Sequence, residues 1–458
     1  MVANTDILIC YKDEVHIKIQ CNDSIAREMQ DYFTFIKPGS HYIKYFDKSK
    51  NKTRTKLTDG KVKLFHLRKM ELYRGLIPYI EKFASHYKYT ISYDNPTLIS
   101  KNKFTHENME EFASSLNLQS KGEPITPRDY QIEYASQAIS NKRLLILSPT
   151  SSGKSAMIYL IIRALQHIIK NKILIIVPTT NLVEQLYGDF KDYSTKNKWD
   201  MRQCCKIYQG YEKYASGKIY ISTWQSLQHM PEDYFHQFGA VIGDEAHGAK
   251  AKSLTHIIGS CINAKYRIGL TGTLDGIEVH KLVIEGLFGL SYRVITTREL
   301  IDRGEAAEFD THCIMLMHDE FKPHDYESEK QYLIGNEKRN KFICKLSLKQ
   351  EKNTLVLFER IGAHGVVLYE MLQKMTNRPI FFVHGGVDTE EIEAIRNILD
   401  KEDNAIILAS YGKWSTGANI KNLHNIIFAS PSKGRIRVLQ SIGRMLRLNH
   451  NKDKAKLF

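Results

Sequence analysis

From Pro127 onward, short apolar runs alternate with stretches of helical periodicity. Residues 144–147, 173–177, 218–221, 240–242 and 266–270 are the first set of runs. Runs this uniformly apolar suit strands buried on both faces, and helical stretches between them predict a doubly wound parallel sheet. The pattern restarts at 353–358 and continues through 380–383, 405–409 and 425–429, so two α/β lobes are predicted. The polar, charged segment from Asp302 to Tyr332 is expected to bridge them. Residues 454–458 read as the start of a strand that would complete the second sheet. Either the natural chain continues past Phe458 or this lobe closes with one strand fewer.

The first 120 residues follow a different pattern. Alternating runs at 41–46 and 61–67 flank a polar turn and the Asp59-Gly60 dipeptide, which predicts a small antiparallel β meander, with a helix following over 74–83. Between Lys37 and Arg74 stand twelve basic residues, opposed only by Asp47, Asp59 and Glu71 and interleaved with Tyr42, Tyr45, Phe46 and Phe65. This reads as a small accessory α+β domain with a basic face for phosphates, with Lys50, Lys52, Arg54, Lys61 and Lys63 as candidate contacts. The plainer alternative is a solvated strand face whose lysines discourage edge-to-edge pairing.

At 458 residues the chain has room for about three domains, placed at 1–120, 121–305 and 306–458. A net charge of +14 favours a polyanionic partner, most simply nucleic acid. No apolar run approaches the roughly 20 residues a bilayer span needs. The N-terminus lacks the basic start and apolar core of a secretory signal, so the cytoplasm is the expected compartment. The seven cysteines are scattered without a C-x-x-C pair, which argues against a zinc site or disulfide framework.

Two segments carry recognisable chemistry. Residues 148–155 read Ser-Pro-Thr-Ser-Ser-Gly-Lys-Ser, directly after an apolar run and opening a helical pattern. That setting suits a phosphate-binding loop running from Pro149 to Gly153, in which the backbone N–H groups after the proline and the helix start cradle a β-phosphate. Thr150, Ser151 and Ser152 would line the cradle, Lys154 would bridge β- and γ-phosphates, and Ser155 would take Mg²⁺. Ser148 and Ser151 stand where glycine is more usual; if Ser151 needs a positive φ, its side chain carries a backbone cost. About 90 residues on, Asp244-Glu245-Ala246-His247 follows a buried-strand pattern. Asp244 there can hold Mg²⁺ through water and Glu245 can polarise an attacking water. Each segment alone is also met as a plain solvated turn; their order, spacing and strand context together point to NTP hydrolysis.

From about residue 126 to 450 the chain resembles the superfamily 2 helicases and translocases, at many separate motifs in the right order. Residues 127–131 resemble the Q motif, 148–155 motif I, 178–185 motif Ia, 222–226 the next strand-contacting motif, 244–247 motif II and 270–273 motif III. In the second lobe, 384–386 and 415–419 fall where motifs IVa and V are expected, and 440–447 match motif VI. Within the superfamily, the chain is most similar to the bacteriophage UvsW-type branch-migration helicases. The grounds are the small basic N-terminal domain, the Pro-Thr-Ser-x-Gly loop, the run Ile-Leu-Ile-Ile-Val-Pro-Thr-Thr, and Ala-Ser-Tyr-Gly-x-x-Ser-Thr-Gly.

The resemblance implies two RecA-like lobes with ATP in the cleft between them. Arg128, Gln131, Gly417 and Gln440 would join the phosphate loop in holding nucleotide, with Gln131 reading the adenine edge. Arg447, assisted by Arg444, would contact the γ-phosphate; three residues apart on a helix, they share a face. His247 would link nucleotide state to Gln440 or to motif III residues Thr271 and Thr273. Thr179, Thr223 and Thr416 would contact the strand backbone, although each also suits ordinary helix capping. For Trp224, packing is the simpler role and base stacking the alternative. Only about 20 residues separate motifs V and VI, so any strand-separating wedge is expected elsewhere, in the N-terminal domain or within 273–297. The implied role is an ATP- and Mg²⁺-dependent DNA motor remodelling forks, displacement loops and four-way junctions, working as a monomer without a membrane, in host cytoplasm if phage-encoded. An RNA helicase, a duplex translocase that does not unwind, and a catalytically degenerate scaffold stay open as alternatives.

Overall fold

The structure is a computed structural model describing residues 5–36, 42–47, 52–57, 59–317, 321–416, 420, 422–432, 434–446, 448, 452 and 454–458. The N-terminal region contains β1 (Ile7–Tyr11), β2 (His16–Gln20), α1 (Asp23–Tyr32), β3 (Thr34–Ile36), β4 (Tyr42–Asp47), β5 (Lys52–Leu57), β6 (Lys61–Lys63), β7 (Glu71–Tyr73), α2 (Ile77–Tyr87) and β8 (Ile91–Tyr93). Its main sheet runs β7-β2-β1-β8, with β8 parallel to β1 and the other pairs antiparallel. Alternation in β1 and β2 sends Ile7, Ile9, Ile17 and Ile19 inward, where they meet Ile25 and Met29 of α1 and Ile80 and Phe83 of α2.

The expected meander needs correcting. β4 and β5 pair as one antiparallel hairpin, whereas β6 pairs with β3, a strand the sequence reading did not include. The strand expected to run to 67 stops at Lys63, because Phe65 turns into the core and a turn over 67–70 follows. The helix starts at Ile77 after a tight turn at Arg74–Leu76, with Pro78 in its first turn where no N–H is needed.

A short connection, α3 (His106–Ser115) with β9 (Gln119–Ser120) and β10 (Glu123–Pro124), leads into the first lobe. There α4 (Asp129–Asn141), β11 (Arg143–Leu147), α5 (Lys154–Ile168), β12 (Lys172–Val177), α6 (Thr180–Tyr193), β13 (Cys204–Ile207), β14 (Ile219–Thr223), α7 (Trp224–Leu227), β15 (Phe238–Asp244), α8 (Lys252–Ser260), β16 (Tyr266–Thr271), α9 (Glu278–Phe288) and β17 (Ser291–Tyr292) follow in order. The sheet is parallel throughout, in the order β13-β14-β12-β15-β16-β11-β17.

The N-terminal region and this lobe form one compact unit, Met1–Leu147 with Lys154–Val294. Buried charge holds the seam. One Glu14 carboxylate oxygen accepts from Arg74 Nη1 at 2.5 Å and from Arg143 Nη2 at 2.7 Å. Burial, with Arg74 alongside, weakens the hold of Arg143 on its proton, and Glu14 opposes that effect. Tyr79 donates to Glu285 at 2.6 Å, and Leu282 of α9 completes the N-terminal core. Backbone approaches backbone at Gly75, where a Cβ would lie 2.1 Å from the Glu285 carbonyl oxygen.

The second compact unit comprises Ser148–Gly153 and Ile295–Phe458. Its elements are α10 (Thr297–Asp302), β18 (Glu308–Thr311), α11 (Tyr326–Gly335), α12 (Glu337–Lys349), β19 (Thr354–Phe358), α13 (Val367–Gln373), β20 (Ile380–Val383), α14 (Thr389–Leu399), β21 (Ile406–Ser410), α15 (Tyr411–Thr416), β22 (Asn425–Phe428), α16 (Arg435–Met445) and β23 (Lys454–Leu457). The parallel sheet runs β18-β23-β22-β19-β21-β20. Both faces are covered: Leu355, Leu357 and Ile407 pack in one core layer, Val356, Phe358 and Ile406 in the other. The segment expected as a bridge is partly sheet, since β18 forms its edge, and the strand expected at 454–458 sits between β18 and β22.

Candidate nucleotide and nucleic-acid site

The loop after β11 is closed on itself. Ser148 is buried and its Oγ lies 2.6 Å from Ser152 Oγ, which in turn donates to the Pro149 carbonyl at 2.7 Å. Ser151 and Gly153 adopt φ of 72° and 78°. The second is where glycine costs nothing; the first places a serine in left-handed backbone at about 1 kcal/mol. Lys154 and Ser155 then open α5, so the first-turn N–H groups and the positive end of the helix dipole follow straight from the loop. A Ser151→Gly variant is expected to relieve this cost and bind nucleotide about threefold tighter or faster, readable with a fluorescent ATP analogue. Weaker binding would mean that the serine hydroxyl does work in the loop that outweighs its backbone strain.

Asp244 ends β15, where the sheet places it beside Leu270 of β16. The strand can approach α9 closely because position 243 is glycine; a Cβ there would lie 2.8 Å from the Phe288 ring. Burial, then the adjacent Glu245 charge, pushes the Asp244 carboxyl above the usual carboxylate range, with Lys154 opposing. Glu245 itself is held at φ 51°, a conformation uncommon for glutamate and of the kind that collects at functional sites. Its Oε2 lies 3.3 Å from His247 Nδ1, and the same nitrogen lies 3.1 Å from Thr271 Oγ1 at the end of β16. Thr271 Oγ1 donates to the Thr273 carbonyl at 3.1 Å. Thr271 Oγ1 thus stands between the imidazole nitrogen and the Thr273 carbonyl, within hydrogen-bond distance of both. A continuous polar chain thus runs from Glu245 through His247 to Thr271 and Thr273.

The remaining predicted residues fall into three groups. Gln131 is buried in the first turn of α4, and its Oε1 accepts the Arg128 N–H at 3.0 Å, which fixes the amide plane. Thr179 caps α6, accepting from Leu182 N at 3.4 Å. Thr223 is buried, and its Oγ1 pairs with Ser226 Oγ at 2.9 Å. Trp224 packs against the first-lobe core. Lys61 and Lys63 are exposed on β6, and Gln440 is half-buried on α16. Lys50, Gly417 and Arg447 lie outside the described residues. Lys52, Arg54, Thr416 and Arg444 are placed as backbone on β5, α15 and α16, and their side chains lie outside what is described. All seven cysteines are free thiols, and no group of three or more metal-ligating side chains occurs among the described residues.

Three family models match the chain: the N-terminal part of the DNA helicase UvsW over residues 6–94, the res subunit of type III restriction enzymes over 124–276, and the helicase conserved C-terminal domain over 337–449. The ATP-dependent DNA helicase uvsW of Enterobacteria phage T4 is 31% identical over 462 residues, spanning 99% of this chain and 90% of that protein. The crystal structure of T4 UvsW superposes with a TM-score of 0.57 at 29% identity, covering 99% of this chain and 90% of that one. A fragment of a putative HsdR subunit of a type I restriction enzyme from Vibrio vulnificus YJ016 shares the fold, with a TM-score of 0.56 at 16% identity over 95% of this chain and 77% of that one. With the phosphate loop, the Asp244-Glu245 strand end and full-length similarity to the T4 protein in place, the chain belongs to the UvsW family of ATP-dependent DNA helicases.

Proposed function

We propose that this helicase moves branched DNA, migrating forks and four-way junctions in recombination or repair, and that it does so as a monomer in the host cytoplasm. The observation that carries the motor chemistry is the convergence, in one parallel sheet, of a helix start at Lys154 and a carboxylate pair at Asp244 and Glu245. Lys154 neutralises charge on the transferred phosphoryl group. Glu245 positions the attacking water and accepts its proton. Ser155 and Asp244, one hydroxyl and one carboxylate, would hold a magnesium ion, which would supply neutralisation of the phosphate charge. Arg444 and Arg447 are proposed to stabilise transition-state charge, and Gln131 with Arg128 to hold the adenine end.

His247 is proposed to carry the state of Glu245 to the β16 end. A His247→Ala variant is expected to keep at least a third of the ATPase rate and lose about tenfold or more in DNA unwinding per ATP, a split seen by measuring both on one fork. Equal loss of both activities would assign His247 to hydrolysis alone. The N-terminal region is packed on the first lobe, so its basic strands travel with that lobe and are proposed to hold duplex arms by their phosphates. ATPase rates with matched single-stranded, duplex, forked and four-way DNA, and with structured RNA, test the substrate. Strongest stimulation by the branched DNAs is expected; equal or greater stimulation by RNA would overturn the DNA assignment.

A further inference from the structure

The most basic stretch of the chain lies outside the N-terminal sheet. Strands β3 to β6 pair in nested order, β3 with β6 and β4 with β5, which is the order of one long two-stranded ribbon. Neither pair joins the sheet β7-β2-β1-β8. Residues 34–63 carry nine lysines and arginines against Asp47 and Asp59. The difference, nine minus two, is +7, half of the chain's net charge of +14.

An isolated two-stranded ribbon is marginal in water, and its open edges invite stray pairing. Here the root is fastened. Phe33 and Phe65, just outside the ribbon on either side, are both buried in the N-terminal core. The Leu64 N–H donates to the Phe33 carbonyl at 3.0 Å, and the Lys61 N–H to Asp59 Oδ1 at 3.1 Å. In the root, alternation lays Phe35 against the core and leaves Lys61 and Lys63 exposed, with Ile36 at 61% of its full surface. The chain therefore spends core contacts on holding out a charged ribbon that the core itself does not use.

We infer that the ribbon of residues 34–63 enters the major groove of a duplex DNA arm, and that this seat makes the enzyme favour B-form over A-form duplexes. The inference rests on the proposed reading of the basic N-terminal strands as a hold on duplex arms. Groove width decides the seat. The B-form major groove, about 12 Å wide, admits a two-stranded ribbon, whereas the minor groove, about 6 Å wide, does not. Strands of six residues, as β4 and β5 are, run about 20 Å, enough to follow the groove over roughly half a helical turn. Phosphates line both walls of the groove, so a ribbon of net +7 releases counterions as it seats. In an A-form duplex the major groove is deep and narrow, which leaves the same ribbon outside.

Binding of the full chain is measured by fluorescence anisotropy on three duplexes of one sequence: plain DNA, DNA with bulky neutral groups on the pyrimidine C5 positions, and RNA. The C5 position faces the major groove, and neutral groups leave the phosphate charge unchanged. Wild type is expected to bind plain DNA about tenfold tighter than either of the others. A variant with a two-residue Asn-Gly turn in place of residues 42–57 is expected to bind all three alike. Equal wild-type affinity for plain and substituted DNA overturns the groove seat, as does a preference that survives the trimming. RNA bound as tightly as plain DNA overturns the exclusion of A-form duplexes. The wild-type comparison decides the seat even if the trimmed chain does not fold. The underlying reading fails separately: a folded trimmed chain that binds plain duplex as tightly as wild type would show that these strands do not hold duplex arms at all.

Discussion

Replacing Glu245 with glutamine is expected to slow ATP hydrolysis by about two to four orders of magnitude while leaving ATP and DNA binding close to wild type. The substitution keeps size, shape and hydrogen-bonding reach, so the left-handed backbone at φ 51° and the His247 neighbour are disturbed little. It removes the negative charge that accepts a proton from water. It also removes the charge that helps raise the Asp244 carboxyl, so Asp244 in the variant should hold its proton less tightly. Single-turnover hydrolysis beside equilibrium binding of a non-hydrolysable analogue separates the two effects. A rate within tenfold of wild type would show that another group activates the water.

Removing the Glu14 carboxylate is expected to destabilise the first unit by about 3–5 kcal/mol, because Glu14→Ala leaves the guanidiniums of Arg74 and Arg143 buried side by side without their shared anion. Arg74, Arg143 and Glu14 are all largely shielded from solvent, so water can replace the lost carboxylate only after the seam opens. The consequence reaches function as well as stability: the N-terminal region would loosen from the first lobe. Urea unfolding followed by limited proteolysis should show an early transition with cleavage near the residues joining the two. Glu14→Gln, which retains an acceptor but no charge, is expected to fall between wild type and alanine. A loss under about 1 kcal/mol would mean that solvent already reaches this cluster.

Why the sequence announces some of this and hides the rest follows from the range of the forces involved. Strands such as β12 and β19 are buried on both faces, so every residue after the first is apolar and the run is visible locally. The phosphate loop and the carboxylate pair are equally local, each confined to a few consecutive residues at a strand end. In the N-terminal region the signal fails for β1 and β2, whose half-buried alternation is short and whose sheet is completed by β8, paired with β1 from about 80 residues away. Phe65 reads as a strand residue by alternation, yet tertiary packing turns it inward. The Glu14 cluster has no local signature at all: Glu14 and Arg143 are 129 positions apart, and each looks like a solvated charge at a turn or strand start. The burial of Thr223, in a strand-contacting motif, is likewise visible only in the fold.

The most direct test of the account is migration of a mobile four-way DNA junction through heterology-free arms, followed in real time with ATP, with a non-hydrolysable analogue and with the Lys154→Ala variant. Product above the protein-free rate is expected only with wild type and hydrolysable ATP. Branch movement that persists with the variant or the analogue would contradict the claim that hydrolysis at Lys154, Asp244 and Glu245 drives it.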